Sequence, residues 1–108
     1  MAIDKSLLAG STGLLVLRLL EEDDLYGYQM IERLRERSDD TFSLKAGTLY
    51  PLLHAMERAG LVESYEGESA AGKPRRYYRL TEAGRAALEE KKQAWTTYAA
   101  AMRRVLGG

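Results

Sequence analysis

The chain has 108 residues, 45% of them hydrophobic and 30% charged, and its 16 basic and 16 acidic side chains give a net charge of zero. This length favours one domain, and this composition excludes a disordered or fibrous chain. Cysteine is absent and histidine occurs once, which excludes disulfides, thiolate metal sites, cysteine nucleophiles and multi-histidine metal clusters.

Three helices are predicted in the first half of the chain. Leucines occupy more than one side of a helix over Leu7–Leu20, and the acidic run at 21–24 ends it. A second helix is predicted over Tyr26–Arg37. A third spans about Ser43–Ala59, because apolar residues recur there at helical spacing and form one buried face: Leu49, Leu52, Leu53 and Met56.

The second half predicts a hairpin and one long helix. Leu61–Glu66 and Arg75–Leu80 are rich in Tyr, Val and Leu and are separated by a glycine-bounded segment, which is typical of a β-hairpin. Gly60 stands where a helix end favours a left-handed residue. Thr81 is a plausible N-cap for a last helix over Glu82–Leu106.

The order helix, helix, helix, hairpin, long helix predicts a mainly α fold with a small β-hairpin. We interpret residues 1–81 as a winged helix-turn-helix DNA-binding domain. Residues 82–108 are then a C-terminal dimerisation helix packed on a partner subunit, and the two parts form one compact domain. The apolar run Leu7–Leu20 is interrupted by Arg18 and is too short to cross a bilayer comfortably. We therefore expect a cytoplasmic protein that does not engage a membrane.

Three sequence blocks resemble the PadR-type transcriptional regulators. The block Gly47–Leu53, followed by Met56-Glu57 and Ala59–Val62, is similar to the signature of their third helix. Lys73–Gly84 is similar to their wing and to the entry of their last helix, and Tyr26–Tyr28 matches the start of their second helix. The three blocks occur in the family's order over nearly the whole chain.

This resemblance implies a homodimeric DNA-binding repressor. The single C-terminal helix resembles the short subgroup of the family, which includes regulators that bind flat, hydrophobic drugs between two subunits. Members of that subgroup have a Trp midway along the last helix, where this chain has Trp95.

The third helix is the predicted reader of the DNA major groove, which admits one α-helix. Its exposed face has few strong base readers, so we expect modest direct readout, with dimer spacing and DNA shape supplying part of the specificity. The alternative for Tyr50 is partial packing under the wing, and for His54 an ordinary exposed position. The candidate contacts on this helix are Lys45, Gly47, Thr48, Tyr50, His54 and Arg58.

The predicted wing brings Lys73, Arg75 and Arg76 within four positions, in a segment whose charge is strongly positive. Residues of this kind can follow a phosphate backbone or enter a minor groove. Alternation along the strand directs Arg75 and Arg79 to one face, and we expect Arg79 to pair with Glu63 across the ribbon. A solvated charged loop is the alternative interpretation.

The last helix carries a heptad-like stripe with one polar breach: Leu88, Lys91, Trp95, Tyr98, Met102 and Val105. A domain this small cannot cover the whole stripe, so we expect a two-fold related partner chain to do so. The predicted dimer interface comprises Leu8, Leu15, Leu88, Trp95, Tyr98, Met102 and Val105. The predicted slot for a planar hydrophobic effector comprises Trp95, Tyr98 and Met102, with Trp95 as a plain core residue the alternative.

An enzymatic role is not expected, since the sequence lacks a catalytic triad, a paired-carboxylate cleft and a phosphate-binding glycine loop. No catalytic residue, metal site or cofactor is predicted. The expected partners are a pseudo-palindromic DNA operator, a second copy of the chain and a planar effector. The competing hypothesis is a winged-helix dimer that binds a protein rather than DNA and senses no ligand.

Overall fold

The computed structural model describes residues 11–108, which form four helices and a three-stranded antiparallel sheet. The predicted winged helix-turn-helix with a long last helix is confirmed. The elements are α1 (Thr12–Glu22), β1 (Leu25–Tyr26), α2 (Gly27–Arg37), α3 (Ala46–Arg58), β2 (Val62–Glu68), β3 (Pro74–Leu80) and α4 (Glu82–Leu106).

The sheet has one strand more than the predicted hairpin. β1 is two residues long and pairs with β3, with Leu25 opposite Tyr78 and Tyr26 opposite Tyr77. The strand order is therefore β1-β3-β2, and β2 and β3 are paired over their whole length. A strand of two residues has no periodicity of its own, so only the tertiary pairing reveals it.

Helix boundaries differ modestly from the predicted ones. The predicted start of the first helix at Leu7 lies outside the described residues. α3 begins at Ala46 rather than near Ser43, and Pro51 lies inside it. Since proline has no amide hydrogen, the helix lacks one of its internal hydrogen bonds at that point.

The core lies between the helices and the inner face of the sheet. Tyr78 and Leu80 alternate along β3 and are both buried on its inner face. Burial raises the pKa of the Tyr78 phenol, because the charged form is disfavoured away from water. The fully buried side chains of this core include Val16, Leu17, Met30, Leu49, Leu53 and Leu88.

The start of α4 is held against the turn that ends α3. The Thr81 hydroxyl accepts a hydrogen bond from the Gly84 amide (3.0 Å) and donates one to the Gly60 carbonyl (2.6 Å). Gly60 has a φ of +79°, the left-handed conformation predicted for it. A Cβ atom on Gly84 would overlap the Leu61 carbonyl oxygen, so this close approach requires glycine.

α4 is buried at its beginning and exposed further on. Leu88, predicted to lie in the dimer interface, is instead fully buried in the core of its own chain and has no surface left for a partner. Its neighbours are supplied by the same chain because the first turns of α4 pack on the domain. In residues 11–108 every helix is too short or too polar to cross a membrane.

Candidate nucleic-acid interface

The exposed face of α3 carries the residues predicted to contact DNA. Helical spacing buries Leu49 and Leu53 on one side, and the predicted contacts lie on the rest of the helix surface. Lys45 is the residue that precedes the first turn, with extended backbone. The six exposed candidates are Lys45, Gly47, Thr48, Tyr50, His54 and Arg58.

Tyr50 lies where α3 meets the beginning of α2. Its side chain is 40% exposed, and a Cβ atom placed on Gly27 would come within 2.6 Å of its ring carbon Cζ and closer still to its hydroxyl. The ring therefore lies directly over the Gly27 backbone and is partly packed. Gly27 is required for this close approach between the two helices of the helix-turn-helix.

Tyr28 is a candidate that the sequence interpretation missed. It follows Gly27 in the first turn of α2 and is 62% exposed. Met30 and Leu34 of the same helix are buried, and the helical period places Tyr28 away from their face. A large aromatic residue that lies off the apolar face of its helix can be recognised from the sequence, and Tyr28 is such a residue.

The basic residues of the wing differ in their surroundings. Lys73 is exposed at the tip of the hairpin. The Arg75 guanidinium lies 5.4 Å from the centroid of the Tyr26 ring, and its Nη1 donates to the Pro74 carbonyl at 2.9 Å. Arg76 instead forms an exposed ion pair with Glu66, with Nε and Oε1 separated by 3.6 Å.

The predicted pair between Arg79 and Glu63 is present, with a hydrogen bond of 3.0 Å between Nε and Oε1. These residues are directly opposite each other in the β2–β3 register. The structural role expected for Arg79 is consistent with this contact, because its charge is already matched by a carboxylate.

Charge pairing separates the candidate interface from the other arginine-rich surface, on α2. There, Arg33 pairs with Asp23 at 2.6 Å and Arg35 with Glu32 at 2.6 Å. Arg37 pairs with Glu22, and this hydrogen bond lowers the pKa of the Glu22 carboxyl. The arginines of α2 therefore present little unbalanced positive charge.

Unlike the arginines of α2, four of the predicted DNA contacts have no acidic partner. Among residues 11–108, no carboxylate oxygen lies within 4.0 Å of a side-chain nitrogen of Lys45, Arg58, Lys73 or Arg75. Unpaired cations on an exposed face can neutralise phosphates without first breaking an internal ion pair. α3 and the wing therefore offer a polyanion several unmatched cations, which α2 does not. Other exposed cations without an ion pair in residues 11–108 lie on α4, outside the helix-turn-helix and the wing: Arg85, Lys91, Arg103 and Arg104.

The outer face of the sheet is covered by a row of tyrosine rings. Tyr26 meets Tyr77 edge to face, with ring centroids 5.3 Å apart, and Tyr65 stacks on Tyr77 at 5.6 Å. The Tyr65 hydroxyl donates to Asp24 at 2.7 Å, and this bond raises the pKa of the phenol. The Tyr77 hydroxyl donates to the Glu68 carbonyl at 2.6 Å.

The C-terminal half of α4 carries the exposed apolar stripe. Trp95 is 50% exposed, Tyr98 60%, Met102 40% and Val105 83%. Leu15 of α1 is partly buried and packs against the core. Leu8, the remaining predicted interface residue, lies outside the described residues.

A family comparison agrees with this geometry. Residues 16–90 match the Transcriptional regulator PadR-like family. The chain belongs to this family. The transcriptional regulator Rv3488 of Mycobacterium tuberculosis is 38% identical over 93 residues, which cover 86% of this chain and 80% of that protein.

Solved structures of transcriptional regulators share the fold. A PadR family transcription regulator from hypervirulent Clostridium difficile R20291 is 38% identical, with a TM-score of 0.78 over 89% of this chain and 98% of that one. A transcriptional regulator from Clostridium thermocellum is 29% identical, with a TM-score of 0.86 over 94% of this chain and 96% of that one.

PadR membership makes this chain a transcriptional regulator of a DNA-binding family, not an enzyme. The resemblance seen in the three sequence blocks is confirmed. The matched residues include all of α2, α3 and the wing and end within α4. The PadR assignment therefore covers the surface on which the unpaired basic residues lie.

Proposed function

We propose that this PadR protein is a homodimer that binds a pseudo-palindromic operator and represses transcription. The observation that supports this most directly is the contrast in charge pairing. In the described part of the chain, the arginines of α2 are matched by acidic partners, as are Arg76 and Arg79 of the wing. No carboxylate partner is present there for Lys45, Arg58, Lys73 or Arg75. In this proposal residues 1–81 bind DNA and residues 82–108 form the dimerisation helix.

On DNA, α3 would enter the major groove and the wing would follow the neighbouring backbone. Tyr50 and His54 lie on the exposed face of α3 and can exchange hydrogen bonds with base edges or phosphates. Amides near Gly47, in the first turn of α3, can hold a phosphate oxygen. Lys73 and Arg75 supply sequence-independent affinity, and Arg76 joins them once DNA displaces Glu66.

Dimerisation follows from the exposed stripe of α4. Large apolar side chains that a chain leaves in water commonly mark an interface. We propose that a two-fold partner covers Trp95, Tyr98, Met102 and Val105, with Leu15 beside them. To bind two half-sites of a palindrome, this dimer has to place its two copies of α3 about 34 Å apart, one turn of DNA.

The same stripe is our candidate for an effector site. Two copies of Trp95, Tyr98 and Met102 facing each other across the two-fold axis would line an apolar, aromatic slot for a planar hydrophobic compound. Such a compound can release DNA only by favouring one spacing of the two α3 helices over another. Thr81 gives α4 a direct connection to the turn after α3, because its hydroxyl accepts from the Gly84 amide of α4 and donates to the Gly60 carbonyl.

Salt-dependent binding to duplex DNA tests the DNA-binding proposal. We expect the double substitution K73A/R75A to weaken operator and random duplexes by similar factors. We also expect it to flatten the salt dependence by about 0.9 in logarithmic slope for each phosphate that the variant no longer neutralises. Fluorescence anisotropy at several salt concentrations measures both quantities.

The matched control is R33A/R35A, which removes two arginines that already have acidic partners. This control should leave the affinity and the slope nearly unchanged. A wild-type protein without salt-dependent binding to random duplex would contradict the proposal and favour a module that binds an acidic protein.

Tryptophan fluorescence tests the effector site, because Trp95 is the only tryptophan. A planar hydrophobic dye should quench this fluorescence at micromolar concentration and lower the affinity for operator. Absence of quenching at high micromolar dye, or equal operator affinity with and without dye, would contradict the effector site while leaving DNA binding intact.

A further inference from the structure

The tyrosine row on the outer face of the sheet connects the wing to the helix-turn-helix. Tyr26 directly precedes α2, and its amide donates to the Gln29 side chain at 3.1 Å in the first turn of that helix. Its ring contacts Tyr77 on β3, whose ring stacks on Tyr65 of β2. Three strands and the start of α2 are therefore joined by side chains on a single face.

An arginine lies over each end of this row. Arg75 covers Tyr26 at 5.4 Å from the ring centroid, and Arg79 covers Tyr65 at 5.3 Å. The two arginines differ in one respect, since Arg79 is paired with Glu63. Arg75 has no carboxylate partner in the described part of the chain, and its other contact is the Pro74 carbonyl.

A ring and a carboxylate hold an arginine in different ways. A carboxylate matches the positive charge, whereas an aromatic face attracts the guanidinium and leaves its charge available to a second anion. The guanidinium edge also keeps donors for a phosphate while its plane rests on the ring. Both arginines over the row are charged, but only Arg75 is held by a ring while its charge has no carboxylate partner in the described residues.

Tyr77 keeps the row in place. Its hydroxyl donates to the Glu68 carbonyl at the end of β2. Its ring lies over Gly67, where an added Cβ atom would approach two ring carbons to 2.8 Å. Gly67 is directly opposite Arg75 in the strand register, so the ring fits beside Arg75 because glycine leaves room for it.

We infer that Tyr26, supported by Tyr77, is a positioning residue that holds the Arg75 guanidinium in place for a DNA phosphate. This inference rests on the proposed DNA-binding function. Holding Arg75 before DNA arrives reduces the side-chain entropy that binding costs. Tyr26 itself need not touch DNA, and its effect should pass through Arg75 alone.

A double-mutant cycle on a random DNA duplex tests this dependence. Y26L should weaken binding by about two- to fivefold per wing, the range expected for an exposed cation–π contact. In the R75A background the same substitution should have no further effect, because the side chain that it positions is gone. Y26F, which keeps the ring, should bind like the wild type.

Y65L is the matched control at the opposite end of the row. It also removes one ring, together with the hydroxyl bond to Asp24. Its arginine is already paired, so DNA affinity should not change. Thermal unfolding of each variant shows whether the fold is retained.

Equal losses from Y26L with and without Arg75 would overturn the inference, as would a loss in Y65L as large as in Y26L. The proposed DNA-binding function fails separately, if the wild type shows no salt-dependent binding to duplex. If the wild type binds and R75A weakens binding while Y26L does not, only the positioning role is wrong.

Discussion

The two halves of α4 have similar apolar spacing and opposite surroundings. In the first turns Gly84 and Leu88 are buried against the domain, and Lys92 still reaches Glu21 of α1 at 3.4 Å. Beyond that point Trp95 and Tyr98 are half exposed or more. At about 1.5 Å per residue the helix is about 37 Å long, which exceeds what the small domain covers. The apolar stripe of α4 is therefore buried in the core at its N-terminal end and exposed to solvent at its C-terminal end.

Leu88→Ala, in the buried half of α4, should produce the largest loss of stability. The side chain is fully buried, so its truncation leaves a cavity and should lower the free energy of unfolding by about 2–5 kcal/mol. Chemical denaturation measures the loss. The control in the same helix is Leu106→Ala, at a position 74% exposed, which should change stability by less than about 0.5 kcal/mol. Similar losses for both would contradict the division of α4 into two halves.

Gly84→Ala should have the next largest effect. The added Cβ atom would overlap the Leu61 carbonyl oxygen, and the displacement of α4 should lower the free energy of unfolding by about 3 kcal/mol. Gly47→Ala is the control, because no atom lies within 4 Å of a Cβ there. It should stabilise the protein by up to about 1 kcal/mol through helix propensity. A neutral Gly84→Ala would mean that the start of α4 is not closely packed.

Trp95→Ala tests the exposed C-terminal half of α4. It should weaken dimerisation and leave the stability of the core unchanged. If Trp95 lies at the centre of a dimer interface, its removal should weaken dimerisation by about 2 kcal/mol, the size of an interface hot spot. Sedimentation velocity over a range of concentrations should show a shift from dimer towards monomer. A wild-type protein that stays monomeric at micromolar concentration would contradict the dimer.

Val105→Ser should give the smallest effect. Val105 is 83% exposed and lies in the last turns of α4, where helix ends open easily. We expect the dimer to lose less than about 1 kcal/mol, measured in the same sedimentation series. If Val105→Ser weakened dimerisation as much as Trp95→Ala, the centre of the interface would have to reach the end of α4.

Local chemistry made much of the fold predictable. The bounds of α4 agree with the predicted helix, because Thr81 provides a side-chain cap at its start. The pair between Arg79 and Glu63 followed from strand alternation. The exposed residues of α3 followed from the helical period of its buried face. These features depend on neighbours in sequence or on a regular repeat.

Features that depend on distant contacts were not predictable in the same way. β1 exists because Leu25 and Tyr26 pair with β3. The assignment of Leu88 to an interface was wrong because spacing alone does not tell which turns of α4 have the domain beside them. The availability of Arg75 was also hidden, since an arginine run in a sequence does not show which members have acidic partners.

From its residues alone this chain was predicted to be a winged helix, because periodicity and capping are local properties. The resemblance of three ordered motifs to PadR proteins added the expectation of a transcriptional regulator. Only the tertiary structure decided which cations remain unpaired and where α4 leaves its own core. Both outcomes depend on packing between residues far apart in sequence: Tyr26 lies beneath Arg75 and Leu61 lies against Gly84. Charge availability and exposed apolar area are therefore properties of the folded surface, and they single out the faces proposed to bind DNA and a second subunit.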